Sequence, residues 1–265
     1  MLGKLLKYEI KATYKIFLIL SGIIILLAGV NRLFMEMGFF QRAGLNVLSG
    51  VVSILYILMI FATSIVIFVL IAQRYYKNLF KDEGYLSLTL PVKASTHVLA
   101  KCIVAFIWNA VSYLSAIISF FIIIVNEDTI KMINQLFIEL RESNEYLGNQ
   151  VGLLIFKFVI SLILSFTVSA LMIYFSISVG QLFNKNRIGM AFVTYFIAYI
   201  IQLIVTLISL SKAGFSLEGS SLEPLKSLEH FAQVMLPVLI LVALVFGVLY
   251  FLGSAYILKR RLNLQ

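Results

Sequence analysis

The feature that most constrains this chain is a series of six long apolar stretches. They lie near residues 16–34, 47–72, 98–125, 151–179, 188–210 and 234–258. Each has about the 20 residues that a helix needs to cross a hydrocarbon core roughly 30 Å thick. The stretches therefore predict an all-α integral membrane protein with six transmembrane helices in a single domain covering residues 1–265.

Composition excludes a soluble globule and a disordered chain. Hydrophobic residues make up 62% of the 265 residues and charged residues only 12%, whereas soluble domains carry about 25% charged residues. A disordered chain would be poor in apolar residues, which this one is not. The single cysteine, Cys102, rules out a disulfide within the chain, and the two histidines, His97 and His230, provide little material for a metal site.

The distribution of basic residues predicts the orientation of the six helices. With the N-terminus in the cytoplasm, the inner segments hold 14 of the 21 Lys and Arg residues and the outer segments hold 6. Cytoplasmic segments are enriched in Lys and Arg, so both termini are expected inside. The net charge of +9 then reflects basic segments that face anionic lipid rather than a surface for nucleic acid.

Residues 1–15 predict an amphipathic helix at the inner membrane surface. Four lysines fall on one narrow arc of this helix: Lys4, Lys7, Lys11 and Lys15. Apolar residues lie opposite, as in helices that rest on anionic lipid. Glu9 falls within the apolar face, where a carboxylate needs a partner, so we expect a basic residue nearby. A simple topology signal before the first span is the alternative.

The longest cytoplasmic segment between spans covers residues 73–97. Its first part, 75–83, predicts a short helix that ends at Gly84. Its mixture of aromatic and charged residues suits a protein interface. Three aromatic side chains would serve as anchors: Tyr75, Tyr76 and Phe80. Four charged side chains would form the rim: Lys77, Lys81, Asp82 and Glu83. A plain solvated loop is the alternative.

Motifs of several enzyme classes are missing from the chain. It contains no G-x-x-x-x-G-K-[ST] loop, no H-E-x-x-H pair and no G-x-S-x-G elbow. Lys157 is the one ionisable residue clearly within a predicted span, and no carboxylate for a coupling ion is evident. These observations disfavour an enzyme and an ion-coupled transporter. Lys157 itself either extends its amine outward to the membrane surface or contacts an anionic part of a substrate.

Polar residues recur at helical spacing in three of the spans. The second span carries Ser49, Ser53, Tyr56 and Thr63, and the third carries Trp108, Ser112, Ser115 and Ser119. Small polar residues at this spacing are typical of packing seams between membrane helices. The fifth span carries Phe192, Tyr195, Tyr199, Gln202 and Thr206 on one face. The two phenols and the amide need polar partners, which favours a cavity or a subunit interface.

The chain resembles the ABC transporter type 2 permease family. The likeness rests on the basic N-terminal segment LLKYEIKAT, on six spans with both ends inside, and on the segment RYYKNLFKDEGYLSLTLPVKAS between spans two and three. It covers essentially the whole chain. The resemblance implies a permease homodimer or pseudo-dimer in a bacterial plasma membrane, with each copy bound to a separate ATPase chain through the segment at 73–97. It also implies that this chain binds no cofactor and that the partner ATPase binds ATP and Mg²⁺.

The family further implies that spans two and five line a cavity at the dimer interface. The candidate residues are Ser53, Tyr56, Thr63, Phe192, Tyr195, Tyr199, Gln202 and Thr206. Such a cavity suits a hydrophobic or amphipathic substrate, and the likeness to small exporters of Gram-positive peptide toxins favours a peptide over a lipid, a drug or a lipid-linked glycan. Two other functions stay open: an immunity or sensor protein that holds a toxin without moving it, and an intramembrane enzyme that acts on lipid.

Overall fold

The computed structural model describes residues 2–38, 45–80, 94–126, 129–135, 138, 150–214 and 231–260. It contains six long helices, which we number in chain order: α1 Leu2–Glu36, α2 Leu45–Phe80, α3 Ala94–Ile124, α4 Gln150–Gly180, α5 Arg187–Lys212 and α6 Leu236–Arg260. A π-helical turn, Phe231–Met235, leads directly into α6. The described ranges contain no β-strand, so the expected all-α class is confirmed.

All six helices are long and apolar enough to cross a membrane. Each predicted span falls on one of them, although the N-terminal residues of the sixth span lie in the π-helical turn rather than in α6 itself. The helices have 25 to 36 residues. At about 1.5 Å per residue even the shortest exceeds the roughly 30 Å of a hydrocarbon core. The chain is therefore built as a multi-pass membrane protein whose helices extend beyond the hydrocarbon region.

The first helix differs from the sequence prediction in its start. Residues 2–15, expected as an interfacial helix, form the first turns of α1 and continue without a break into the first span. No proline lies between residues 2 and 36, so nothing in the backbone chemistry interrupts the hydrogen-bond ladder. The four lysines of the predicted arc are exposed, as expected for its polar side.

The second helix likewise runs past its predicted end at residue 72. Residues 75–80, expected as the start of a separate short helix, are the last turns of α2. The sequence between Ala72 and Phe80 has neither Gly nor Pro to stop a helix. The rest of the predicted docking helix, including Lys81, Asp82 and Glu83, lies outside the described residues.

The chain divides into two compact units. Unit 1 comprises Met1–Leu2, Ala72–Phe106 and Glu142–Gln265, and unit 2 comprises Gly3–Ile71 and Ile107–Arg141. Helices α2 and α3 thus contribute residues to both units, whereas the sequence alone predicts a single domain.

Unit 2 is held together by one face of α1 packed on α2 and α3. The buried residues of α1 follow steps of three and four: Thr13, Phe17, Ser21, Ile24, Ala28 and Asn31. Ile24 and Ala28 form an apolar core with Tyr56 of α2. Ile122 and Ile123 of α3 pack against it. This spacing is the helical periodicity that puts apolar and small side chains on one stripe.

Unit 1 is organised around α4, which packs against both α5 and α6. The turn from α4 to α5 is tight. A Cβ on Gly180 would lie 2.7 Å from the Arg187 carbonyl oxygen and 2.8 Å from the Ala191 Cβ. Asn186 enters α5 with φ of 55°, in the left-handed region that Asn tolerates better than most residues. Glycine at 180 is therefore what lets the two helices approach each other at this corner.

Candidate functional site

A buried pair of tyrosines joins the end of α2 to α4 within unit 1. The ring of Tyr75, with 0% of its surface exposed, stacks on Tyr174 of α4 at a centroid distance of 4.1 Å and an angle of 14°. The Tyr75 hydroxyl lies 2.9 Å from the Ser178 Oγ. Because Ser178 donates its own hydrogen to the Tyr174 carbonyl, Tyr75 is the donor in this bond. The last turns of α2 are thus fixed to α4.

Two further contacts extend this arrangement to α3 and α6. The Tyr174 hydroxyl donates a hydrogen bond of 3.1 Å to the carbonyl oxygen of Lys101 in α3. The Tyr75 hydroxyl also interacts with the side chain of Ser254 in α6. We call Tyr75, Tyr174, Ser178 and Ser254, with the Lys101 carbonyl, the tyrosine cluster. It connects four helices through side chains that lie away from the surface of unit 1.

The burial of Tyr75 corrects one sequence-based prediction. The sequence predicts Tyr75 as an anchor for a partner protein. Its side chain is instead buried inside unit 1, where it contacts Tyr174 and Ser178. The next residues of α2 reach the surface: Lys77 is exposed, and Tyr76 and Phe80 are half-buried with ring centroids 6.5 Å apart. Among the described residues these three remain candidates for a docking surface.

The polar stripe predicted on α5 divides into two sets of residues. Phe192 and Tyr199 are exposed, at 57% and 50%. Gln202 instead accepts a hydrogen bond of 3.2 Å from the Tyr250 hydroxyl of α6. The amide of the stripe therefore has its polar partner within unit 1, whereas two of its aromatic rings face outward.

The other two members of the α5 stripe, Tyr195 and Thr206, are half-buried. Thr206 donates its hydroxyl hydrogen to the Gln202 carbonyl oxygen, one turn earlier in the same helix. Ala198 is the buried residue of α5. Most of the surface of α5 thus has no covering within the described part of the chain.

The polar residues predicted on α2 form hydrogen bonds inside unit 2. The Tyr56 hydroxyl lies 2.8 Å from the Ser119 Oγ of α3, and Tyr56 is the donor because Ser119 donates to the Ala116 carbonyl. Ser53 donates a hydrogen bond of 2.8 Å to the Asn31 Oδ1 of α1. These side chains join α2 to its two neighbours, as the packing-seam interpretation predicts for small polar residues.

A second seam runs between α1 and α3. The indole Nε1 of Trp108 donates a hydrogen bond of 2.8 Å to the Thr13 Oγ1, and its ring stacks on Phe17 at 4.6 Å with an angle of 4°. Two turns further along, the Ser115 Oγ lies 3.3 Å from the Ser21 Oγ. Trp108 and Ser115 thus join α3 to α1, as the packing-seam interpretation predicts for this stripe.

Thr63, the remaining α2 candidate, lines a small cavity of unit 2 together with Ser64, Asn109 and Ser112. The cavity has a volume of about 100 Å³. Sequence reasoning did not select Ser64 or Asn109, nor Tyr174, Ser178 and Ser254 of the tyrosine cluster. The signal in the sequence was the same for all of them, since each is a polar residue within an apolar stretch.

The two remaining predicted residues each lie about two turns after the start of a helix. Lys157 is half-buried about two turns into α4, where the sequence places it. Glu9 is half-buried in the first part of α1. Within the described ranges no group of three or more His, Cys, Asp and Glu side chains could hold a metal ion.

The comparisons with known proteins give no relative from which a function could be transferred. No family model matches the chain, and no curated protein and no solved structure matches it significantly. The described helices define the class directly: a helical protein with six helices able to span a membrane. Several of its polar side chains, among them Tyr56, Tyr75 and Trp108, join one helix to another.

Proposed function

We propose that the chain is the membrane subunit of an ATP-driven exporter in a bacterial plasma membrane, with both termini in the cytoplasm. The observation that carries this proposal is the tyrosine cluster, because it connects the last turns of α2 to α3, α4 and α6. The segment that follows α2 is the one whose composition suits contact with a separate ATPase. A displacement of that segment would therefore be passed directly to three other helices.

In the proposed cycle the partner binds and hydrolyses ATP, and this chain transmits the resulting movement to its helices. The partner ATPase binds ATP and Mg²⁺, and ATP brings two ATPase chains together. Tyr76, Lys77 and Phe80, with the charged residues at 81–83, form the docking surface. Tyr75 then acts as the rigid link, because a stacked and hydrogen-bonded ring in a closely packed interior cannot move without displacing its neighbours.

The substrate is proposed to be hydrophobic or amphipathic, with a peptide favoured. The outward-facing rings of Phe192 and Tyr199 on α5 provide an apolar surface with two aromatic planes. Arg187 and Lys212, at the ends of α5, are its two charged residues. Such a surface suits a second permease copy or an apolar substrate better than an ion. The half-buried Lys157 of α4 is a candidate contact for an anionic group.

The test uses the chain purified with the P-loop ATPase that accompanies it and reconstituted in vesicles with a fluorescent amphipathic peptide. Tyr76→Ala combined with Phe80→Ala removes the surface anchors, and we expect ATPase binding to weaken about thirtyfold, the effect of losing roughly 2 kcal/mol at an interface. Peptide uptake into inside-out vesicles should fall with it.

Tyr75→Phe tests the link separately from the docking. It keeps the ring and removes the hydroxyl, so binding should persist while peptide-stimulated hydrolysis falls about fivefold, as expected for a loss of about 1 kcal/mol. Ser115→Ala is the control, since it removes one buried hydroxyl from unit 2 at a residue outside the docking surface and the candidate substrate cavity, and it should leave peptide-stimulated hydrolysis unchanged. Peptide binding without any ATPase would instead favour an immunity or sensor protein. Lipid turnover by the chain alone would favour an enzyme.

A further inference from the structure

The cavity of unit 2 lies where a membrane protein is normally driest. Its walls come from three helices, with Ile24 of α1, Thr63 and Ser64 of α2, and Asn109 and Ser112 of α3. All five residues fall within about two turns of the middle of their predicted spans. The cavity therefore sits near the middle of the apolar region, far from either predicted membrane surface.

The hydroxyl groups of α2 in this cavity can act only as hydrogen-bond acceptors for an occupant. Thr63 donates its hydrogen to the Met59 carbonyl oxygen at 2.8 Å, and Ser64 donates to the Ile60 carbonyl oxygen at 3.1 Å. A hydroxyl whose hydrogen is already used can still accept through its oxygen. An occupant of this space is therefore favoured if it can donate hydrogen bonds.

Ser112, in contrast, can still donate a hydrogen bond to an occupant. Its side chain is only 7% exposed, and its Oγ has no hydrogen-bond partner within the described part of the chain. Leaving a buried hydroxyl unpaired is unfavourable, because the group has lost its hydrogen bonds to water without gaining others. The stripe that contains it makes the contrast clear, because Ser115 and Ser119, one and two turns further along α3, are both bonded.

Size and charge restrict the occupant further. The volume of about 100 Å³ equals about three water molecules at roughly 30 Å³ each. It is smaller than the engineered apolar cavity of about 150 Å³ that binds benzene. The side chains around it carry no formal charge, so an ion would lack a counter-charge in a medium of low dielectric constant.

We propose that this cavity is a hydration site that holds a small cluster of water molecules near the middle of the membrane-spanning region. Water both donates and accepts, so it satisfies the spare lone pairs of Thr63 and Ser64 and the unpaired hydroxyl of Ser112 together. An acyl chain from the lipid would fill the space but leave Ser112 unpaired. The proposal is independent of the exporter assignment, since it rests only on contacts inside unit 2.

The test is thiol labelling of the full-length protein in vesicles, in a Cys102→Ser background, with small uncharged methyl methanethiosulfonate. Ser112→Cys places a thiol beside the cavity. Ser115→Cys is the matched control, a buried serine on the same helix that does not line the cavity. The reactive form of a thiol is the thiolate, which needs water, so we expect Cys at 112 to react at least about tenfold faster than Cys at 115.

A second substitution shows whether the labelling depends on the cavity. Ala116→Leu, added to the Ser112→Cys variant, fills part of the cavity from α3 and should slow the reaction to the rate of the Ser115→Cys control. The single Ala116→Leu variant, in gel filtration and thermal unfolding, reports whether the fold is kept. Equal rates at 112 and 115 in folded variants would overturn the proposal. A fast reaction at 112 that Ala116→Leu leaves unchanged would overturn it as well, because the water would then lie elsewhere.

Discussion

Trp108, the one tryptophan of the chain, illustrates how single polar groups are accommodated in this protein. Its indole N–H donates a hydrogen bond to the Thr13 hydroxyl, and that hydroxyl donates in turn to the Glu9 carbonyl oxygen at 2.9 Å. Inside an apolar medium each such group needs a partner, because water is not there to replace one. A side chain that looks isolated in the sequence is therefore one half of a contact between helices.

Thr13→Val should show how much this contact contributes to the free energy of unfolding. Valine keeps the shape of threonine but leaves the buried Trp108 N–H without its acceptor. We therefore expect a loss between about 0.6 kcal/mol, the average for hydrogen bonds between membrane helices, and about 1.7 kcal/mol, the largest such value. Unfolding in mixed detergent micelles, followed by the fluorescence of Trp108, measures both the stability and the surroundings of the indole.

Thr167→Val is the control for this residue-scale prediction. Thr167 is half-buried and, within the described part of the chain, bonds only to the Ile163 carbonyl of its own helix. Its replacement leaves no buried donor without an acceptor, so stability should be nearly unchanged. Similar losses in the two variants would show that valine itself, and not the contact with Trp108, is responsible.

Among the helices, the corner between α4 and α5 depends on a single residue, Gly180. The close approach at Gly180 leaves no room for even one methyl group, and the nearest atom is a backbone oxygen that cannot rotate away. The packing of α4 on α5 is thus set by the residue that ends α4.

Gly180→Ala should therefore force the two helices apart at this corner. We expect a loss of about 1–3 kcal/mol, which is typical of overpacking, measured by the same micelle unfolding. Gly152→Ala near the start of α4 is the matched control, since a Cβ there meets nothing within 4 Å. Alanine is the better helix former, so that control should be neutral or stabilised by up to about 1 kcal/mol. Equal effects at the two positions would contradict the steric explanation.

At the scale of the whole molecule, the orientation in the membrane is a prediction that rests on the sum of the charges. Basic residues concentrate in the segments predicted to face the cytoplasm, and the excess of 14 over 6 is spread over four separate segments. No single residue decides the orientation, since the bias acts through all short segments near the helix ends.

Cysteine labelling in intact cells tests this orientation in a Cys102→Ser background. Asn126 follows α3 and Lys185 lies between α4 and α5, and both side chains are exposed. A membrane-impermeant maleimide should modify Asn126→Cys from outside and should modify Lys185→Cys only after the cells are opened. The reverse pattern would invert every segment of the predicted topology, and with it the cytoplasmic position of the surface after Tyr75.

The number and approximate position of the helices could be predicted from the sequence, because a long apolar stretch has few alternatives in lipid. The uses of individual polar residues could not. Tyr75 and Tyr76 are neighbours of the same type, yet one is buried in a cluster of four helices and the other is half-buried at the surface. Helical spacing places two residues on different faces but does not say which face meets another helix.

What the sequence by itself determined is therefore the class of the protein: six apolar helices and a predicted basic side. Hydrophobicity and charge are properties of each segment alone, so they can be read without knowing the neighbours. The tertiary structure decided which polar groups meet. Bonds such as those between Tyr75 and Ser178 join residues 103 positions apart, and they depend on how helices distant in the chain approach each other.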